Sequence, residues 1–179
     1  SKNELFENYY FIDIPGAGVF ESHVNRDSLP YLNLYSMDSA HTIYRGTLRY
    51  PGHCEIWNCF KKLGLLNQNM FFKAEDITLK KIITSIINCS DTPDIEMCVA
   101  DYLNISSNSL VLKKMEWLHL FEDISVESYG LTGFVSLFEI FAHILKRRLY
   151  YEESEIDMLV QHHEFIAEYP DDEDHKITS

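Results

Sequence analysis

The sequence predicts an α+β protein, in which a partial mixed or antiparallel sheet domain is interrupted by an all-helical insertion. Alternating apolar and polar residues occur near both ends of the chain, and apolar residues at helical spacing fill the roughly one hundred residues between them. We therefore assign residues 1–56 and 155–179 to the sheet domain and residues 57–154 to the helical insertion.

The first sheet segment lies in residues 9–20, YYFIDIPGAGVF, where aromatic and β-branched residues are interrupted by proline and glycine. Residues 22–31, SHVNRDSLPY, read as a polar loop in which Pro30 favours an extended backbone at the residue before it.

A second strand is predicted over residues 41–50, HTIYRGTLRY, which end at a Pro-Gly pair. Side chains alternate across a strand, so Arg45, Thr47 and Arg49 are expected on one face of the sheet.

Helical spacing follows from residue 53. Gly64 is a suitable residue to follow a first helix, and Thr78 is a suitable N-cap for a helix reaching Ile87. Two shorter helices are predicted over 94–103 and 109–121, and the longest helix over 131–149.

Near the end of the chain the spacing of apolar residues changes from helical to alternating. Residues 157–169, DMLVQHHEFIAEY, alternate as a strand would, residues 170–174 read as a turn, and residues 175–179 begin a returning strand.

Composition and charge exclude several classes of protein. The hydrophobic content of 46% indicates a folded domain, and the net charge of −13 argues against nucleic acid or an anionic membrane as partner. No run of eighteen apolar residues is present. The four cysteines, at 54, 59, 89 and 98, contain no Cys-x-x-Cys pair, so we interpret them as reduced, mostly buried thiols rather than zinc ligands.

Arginine is scarce and unevenly placed. Three of the five arginines are Arg26, Arg45 and Arg49, and a guanidinium group suits the bidentate capture of a carboxylate. The residues alone leave two interpretations open: Arg26 with the two strand arginines converging on an anionic small molecule, or Arg45 and Arg49 as solvated residues on an open sheet face.

Other polar motifs favour a structural interpretation. His162 and His163 would point to opposite faces of a strand, and the acidic residues 171–174 lack the ligand spacing of a calcium loop. No Gly-x-Gly-x-x-Gly or Gly-x-Ser-x-Gly motif occurs, so no metal ligand or catalytic residue is assigned.

Residues 24–67, which contain NRDS and, some twenty residues later, RGTLRY, closely resemble the glutamate-forming saccharopine dehydrogenase family. The same module is called saccharopine reductase in fungi, and it forms the C-terminal part of the bifunctional aminoadipic semialdehyde synthases. Further similarity lies in MEWLHLF at 115–121 and in residues 150–176. Residues 68–110 resemble the family only in the general character of the predicted helices.

The resemblance implies an enzyme that interconverts saccharopine with glutamate and 2-aminoadipate 6-semialdehyde, using NAD or NADP bound by a Rossmann domain that lies outside this chain. It also implies that Arg26, Thr47, Leu48 and Arg49 contact saccharopine, whose three carboxylates the arginines would bind. Arg45 is either a weaker candidate for this contact or a support for the loop.

We therefore expect the substrate-binding part of a longer, dimeric, intracellular enzyme, mitochondrial or cytoplasmic, and inactive as this fragment alone. The alternative is a non-catalytic, truncated paralogue that acts as an interaction or dimerisation module.

Overall fold

The computed structural model describes residues 6–89 and 94–167, and the backbone of residues 175–178. Residues in these ranges form two compact units, one made of residues 8–51 and 152–179, and the other of residues 1–7 and 52–151. We call them the sheet unit and the helical unit.

The sheet unit contains a three-stranded antiparallel sheet in the order β1-β2-β3 and a separate hairpin, β6-β7. Its elements are β1 (Tyr9–Ile14), β2 (Gly18–Val24), the short helix α1 (Pro30–Leu34), β3 (Gly46–Arg49), β6 (Glu164–Ala167) and β7 (His175–Thr178).

The helical unit contains α2 (His53–Lys62), β4 (Phe71–Lys73), α3 (Leu79–Ile86), α4 (Ile95–Leu103), α5 (Leu110–Trp117), β5 (Phe134–Ser136) and α6 (Leu137–Arg148). Strands β4 and β5 pair antiparallel, so this unit is mainly helical but not all-helical as predicted. Both units together confirm the α+β class, with antiparallel pairing in all three sheets of the described residues.

Helix ends in the helical unit follow the local sequence. Thr78, Ser109 and Ser136 each accept a hydrogen bond from a backbone N–H in the first turn of α3, α5 and α6. The chain leaves α2 through Gly64, which has φ +74°, a left-handed conformation that a glycine adopts without strain.

The core of the helical unit is apolar and aromatic. The rings of Phe60 on α2 and Phe141 on α6 meet edge to face with centroids 4.8 Å apart, and Trp57 contacts both rings. Cys54 and Cys59 are buried in α2, whereas Cys89 and Cys98 are half-buried, and all four are free thiols.

Three predicted elements are shorter in the structure. The helix predicted over 131–149 begins only at Leu137, because Ser136 caps it and residues 134–136 pair with β4. The strand predicted over 41–50 is limited to β3, since β2 ends opposite Gly46. Of the strand predicted over 157–169, residues 157–163 are irregular and 164–167 pair with β7, while residues 168 and 169 lie outside the described residues.

The prediction for the residue before Pro30 is wrong. Leu29 has helical φ and ψ of −58° and −37°, and its N–H donates to Asp27 Oδ1 over 3.0 Å. Pro30 occupies the first turn of α1, where the missing N–H of proline costs nothing.

Candidate functional site

The candidate site lies on strands β2 and β3, where the antiparallel register pairs Glu21 with Arg49 and His23 with Thr47. Directly opposed residues of a ladder point to the same face, so these four polar side chains share one face of the sheet. Leu48, opposite Ser22, belongs to the other face. The structure therefore brings Thr47 and Arg49 together, and it separates the Leu48 side chain from them.

Arg49 ends β3 as an exposed residue. Its Nη1 donates to the carbonyl oxygen of Leu48 over 2.8 Å, which holds the base of the guanidinium group against its own strand. A guanidinium carries five N–H donors, so this contact leaves others for a ligand. The Leu48 carbonyl thus orients the guanidinium group of Arg49.

Two polar residues beside Arg49 are buried. Glu21 is 1% exposed and His23 is 7% exposed. The pKa of His23 is lowered, first by burial and then by the positive charge of Arg49, while Glu21 opposes this shift. His23 is therefore neutral at pH 7, and its ring can both donate and accept a hydrogen bond next to Thr47.

Arg26 lies in the NRDS loop directly after β2. The backbone of the loop is held by the Asn25 N–H, which donates to the Arg45 carbonyl over 3.2 Å, and by the bond from the Leu29 N–H to Asp27. The Arg26 side chain is exposed to solvent.

Arg26 and Arg49 lie at opposite ends of the β2-β3 ladder. Val24 faces Gly46, Arg26 lies two residues further along β2, and Arg49 lies three residues away in the other direction. At the rise of an extended chain, this register separates their α-carbons by up to about 18 Å.

Arg45 contacts Tyr31, the last residue of the segment predicted as a loop. Its guanidinium donates to the hydroxyl of Tyr31 and lies 5.3 Å from the centre of that ring. Tyr31 in turn stacks on Tyr35, with centroids 5.9 Å apart. Arg45 thereby connects the residues before β3 to helix α1.

Gly46 permits a close approach beside this site. A Cβ atom at position 46 would lie 2.6 Å from Ser22 Oγ and 2.6 Å from the hydroxyl of Tyr44, and these two oxygens are 3.1 Å apart. A larger residue at position 46 would displace the Tyr44 ring, which folds back over the strand.

Glu21 lies outside the predicted strand over 9–20 and His23 lies in the predicted loop over 22–31, so the sequence predicts neither as part of the site. Their alternation with Phe20 and Ser22 carried the signal that β2 continues to Val24. Their burial had no signal in the sequence.

Other candidates do not form a site in the described residues. In residues 6–89 and 94–167 no group of three or more His, Cys, Asp or Glu side chains could hold a metal ion. His162 and His163 precede β6 in irregular backbone, and the acidic residues 171–174 lie outside the described residues. No helix in the described part of the chain is long and apolar enough to cross a membrane.

The comparison with solved structures defines the class of fold. The chain matches apo saccharopine dehydrogenase (L-Glu forming) from Saccharomyces cerevisiae with a TM-score of 0.83 and 22% identity, covering 99% of this chain and 40% of that one. The shared fold is an α+β domain that carries a helical unit.

The sequence profile described as saccharopine dehydrogenase C-terminal domain matches residues 1–179, and the chain belongs to this family. It is 31% identical over 161 residues to the mitochondrial alpha-aminoadipic semialdehyde synthase of Mus musculus, covering 87% of this chain and 17% of that protein. It is 27% identical over 168 residues to saccharopine dehydrogenase [NADP(+), L-glutamate-forming] of Schizosaccharomyces pombe, covering 89% of this chain and 36% of that protein. The chain thus spans less than two fifths of these relatives.

Proposed function

We propose that this chain is the substrate-binding part of an NAD(P)-dependent saccharopine dehydrogenase, which interconverts saccharopine with glutamate and 2-aminoadipate 6-semialdehyde. Membership of the family supports the reaction class. The observation that carries the site is the pairing of Arg49 and Thr47 on one sheet face, with Arg26 in the loop at the far end of the same ladder.

The separation of the two arginines suits a long ligand with acid groups at both ends. Arg49 would bind one carboxylate of saccharopine, Thr47 would donate a hydrogen bond, and Arg26 would bind a second carboxylate. The Leu48 side chain faces away from Arg49, so a contact from Leu48 on this face would come from its backbone. These residues would position the substrate, which lowers the entropic cost of reaching the reactive geometry.

The described residues do not fit a dinucleotide. Gly52 lies between β3 and α2, but the glycines around it lack the Gly-x-Gly-x-x-Gly spacing that brings a backbone against a pyrophosphate. We therefore propose that NAD or NADP is bound by a separate domain of the full protein, and that this chain alone does not turn over. We assign no general acid or base.

The proposed enzyme is intracellular, in mitochondria or cytoplasm, and acts as a homodimer. The alternative, a non-catalytic interaction module, is favoured by one observation: the apolar side chains of residues 156–166 in the sheet unit are largely exposed. Turnover of saccharopine by the full protein distinguishes the two proposals, because an interaction module would show none.

The Arg49→Ala variant of the full-length enzyme tests the site. Hydrogen bonds to a charged group contribute about 1.5–3 kcal/mol, so the Michaelis constant for saccharopine should rise about tenfold to a hundredfold. Steady-state kinetics with saccharopine and, separately, with the dinucleotide measure the effect. The Michaelis constant for the dinucleotide should stay the same.

Lys113→Ala, an exposed cation on α5, is the matched control and should behave as the wild type. If Arg49→Ala leaves the saccharopine constant unchanged, Arg49 does not belong to the site. Arg26→Ala should also raise this constant, because the two arginines would bind different carboxylates of one ligand.

A further inference from the structure

The end of helix α6 carries a cationic cleft that the proposed saccharopine site does not use. The cleft lies in the helical unit, is open to solvent, and has a volume of about 570 Å³, within the range of small-molecule sites. It is lined by Ser128, Tyr129, His143, Lys146, Arg147 and Tyr150.

Three of the lining residues are basic and share one helix face. His143, Lys146 and Arg147 are spaced by three and four residues, which places neighbouring side chains together on a helix. The partial negative charge at the C-terminus of α6 amounts to about half an elementary charge. It therefore offsets only part of the positive charge gathered in the last turn.

Acidic partners are missing from this cluster in the described part of the chain. The chain holds 28 acidic residues against 15 lysines and arginines, yet no described carboxylate lies within 4.0 Å of the side-chain nitrogens of Lys146 or Arg147. Like charges held close together repel each other, and a bound anion removes that repulsion.

Neighbouring groups already hold Arg147 in one conformation. Its Nη1 donates to the carbonyl oxygen of Ser128 over 3.3 Å, and its guanidinium lies 5.3 Å from the centre of the Tyr129 ring. The pKa of Tyr129 is raised by burial, so the phenol keeps its proton and can donate a hydrogen bond at neutral pH. Fewer degrees of freedom are lost when a ligand binds to a side chain that is already ordered.

Exposed aromatic surface completes the cleft. Tyr150, directly after α6, is 81% exposed. Burying a tyrosine ring against a ligand is favourable, so this exposed ring is available to cover one. We propose that this cleft binds a small molecule that carries phosphate or carboxylate groups. Lys146 and Arg147 would contact the oxyanion, and Tyr150 would cover the less polar part of the ligand.

Calorimetric titration of the full-length protein with pyrophosphate and, separately, with citrate tests the proposal. Binding of either probe that Lys146→Glu weakens supports it, and the probe whose binding loses more in this variant identifies phosphate or carboxylate as the preferred group. Lys146→Glu should weaken that binding at least about tenfold, because it reverses a charge in direct contact with the anion. Lys146 is exposed and makes no recorded contact with a described residue, so this variant should fold normally.

Lys113→Glu makes the same charge change on α5 and should leave binding unchanged, and Arg49→Ala should also leave it unchanged. The imidazole signals of His143 should shift during the titration in nuclear magnetic resonance spectra. Absence of binding to either probe at millimolar concentration overturns the proposal, as does an equal loss in Lys146→Glu and Lys113→Glu. Loss of binding in Arg49→Ala with no loss in Lys146→Glu would assign the anion to the sheet site instead.

Discussion

Arginine side chains in this chain have different roles although they are chemically identical. Arg45 holds Tyr31, and Arg148 lies 4.4 Å above the ring of Trp117, so both are engaged within the fold. Arg49 contacts only the neighbouring carbonyl oxygen of Leu48 among the described residues. An arginine whose donors are not consumed by the fold is the one available to a ligand.

His23 offers a test of the charge arrangement around Arg49. The pKa of His23 is lowered by burial and by Arg49, so Arg49→Ala should raise it towards the ordinary value. Histidine titration followed by nuclear magnetic resonance in the two proteins measures the change. An unaltered His23 pKa in the variant would mean that the guanidinium does not lie near this ring.

The same shift predicts a loss of stability in acid. A histidine whose folded pKa is lowered resists protonation, so the folded state loses stability relative to the unfolded state as the pH falls below the ordinary histidine pKa of 6.5. Urea unfolding at pH 8 and pH 5 measures the free energy of unfolding at each pH. The decrease from pH 8 to pH 5 should be smaller for His23→Gln than for the wild type.

At the scale of elements, helix ends are local and therefore testable by single substitutions. Ser136 caps α6 by accepting from the Glu139 N–H over 3.2 Å, so Ser136→Ala should lower the free energy of unfolding by about 1 kcal/mol. Ser107→Ala, in the exposed loop between α4 and α5, is the control and should change stability little. Equal stabilities of the two variants in urea unfolding would contradict the capping role.

Strands were harder to predict than helices, because a strand needs a partner. The caps of α3 and the glycine after α2 were readable from adjacent residues, and the structure has both. Residues 157–163 belong to a predicted strand, yet they have no ladder in the structure. The spacing of apolar residues indicates which side chains could share a face. It does not indicate whether a partner strand is present to form backbone hydrogen bonds.

At the scale of the whole molecule, exposed apolar side chains point to the proposed homodimer. Ile156 is 91% exposed and Leu159 is 84% exposed, and large exposed apolar surfaces mark interaction sites. Leu159→Asp should therefore weaken dimerisation of the full-length protein, measured by sedimentation velocity over a range of concentrations. Gln161→Asp, which adds the same charge at a neighbouring exposed position, should not. A wild-type protein that stays monomeric at all concentrations would contradict the dimer.

The amino-acid sequence by itself determined the α+β class, the Thr78 cap of α3, the glycine that follows α2 and the presence of arginines in the NRDS and RGTLRY motifs, because each depends on residues close together in the chain. The tertiary structure decided how far each strand extends, that Glu21 and His23 are buried beside Arg49, and that Arg45 is engaged by Tyr31. These features arise between residues distant in sequence, where packing and hydrogen-bond partners are set by the fold as a whole.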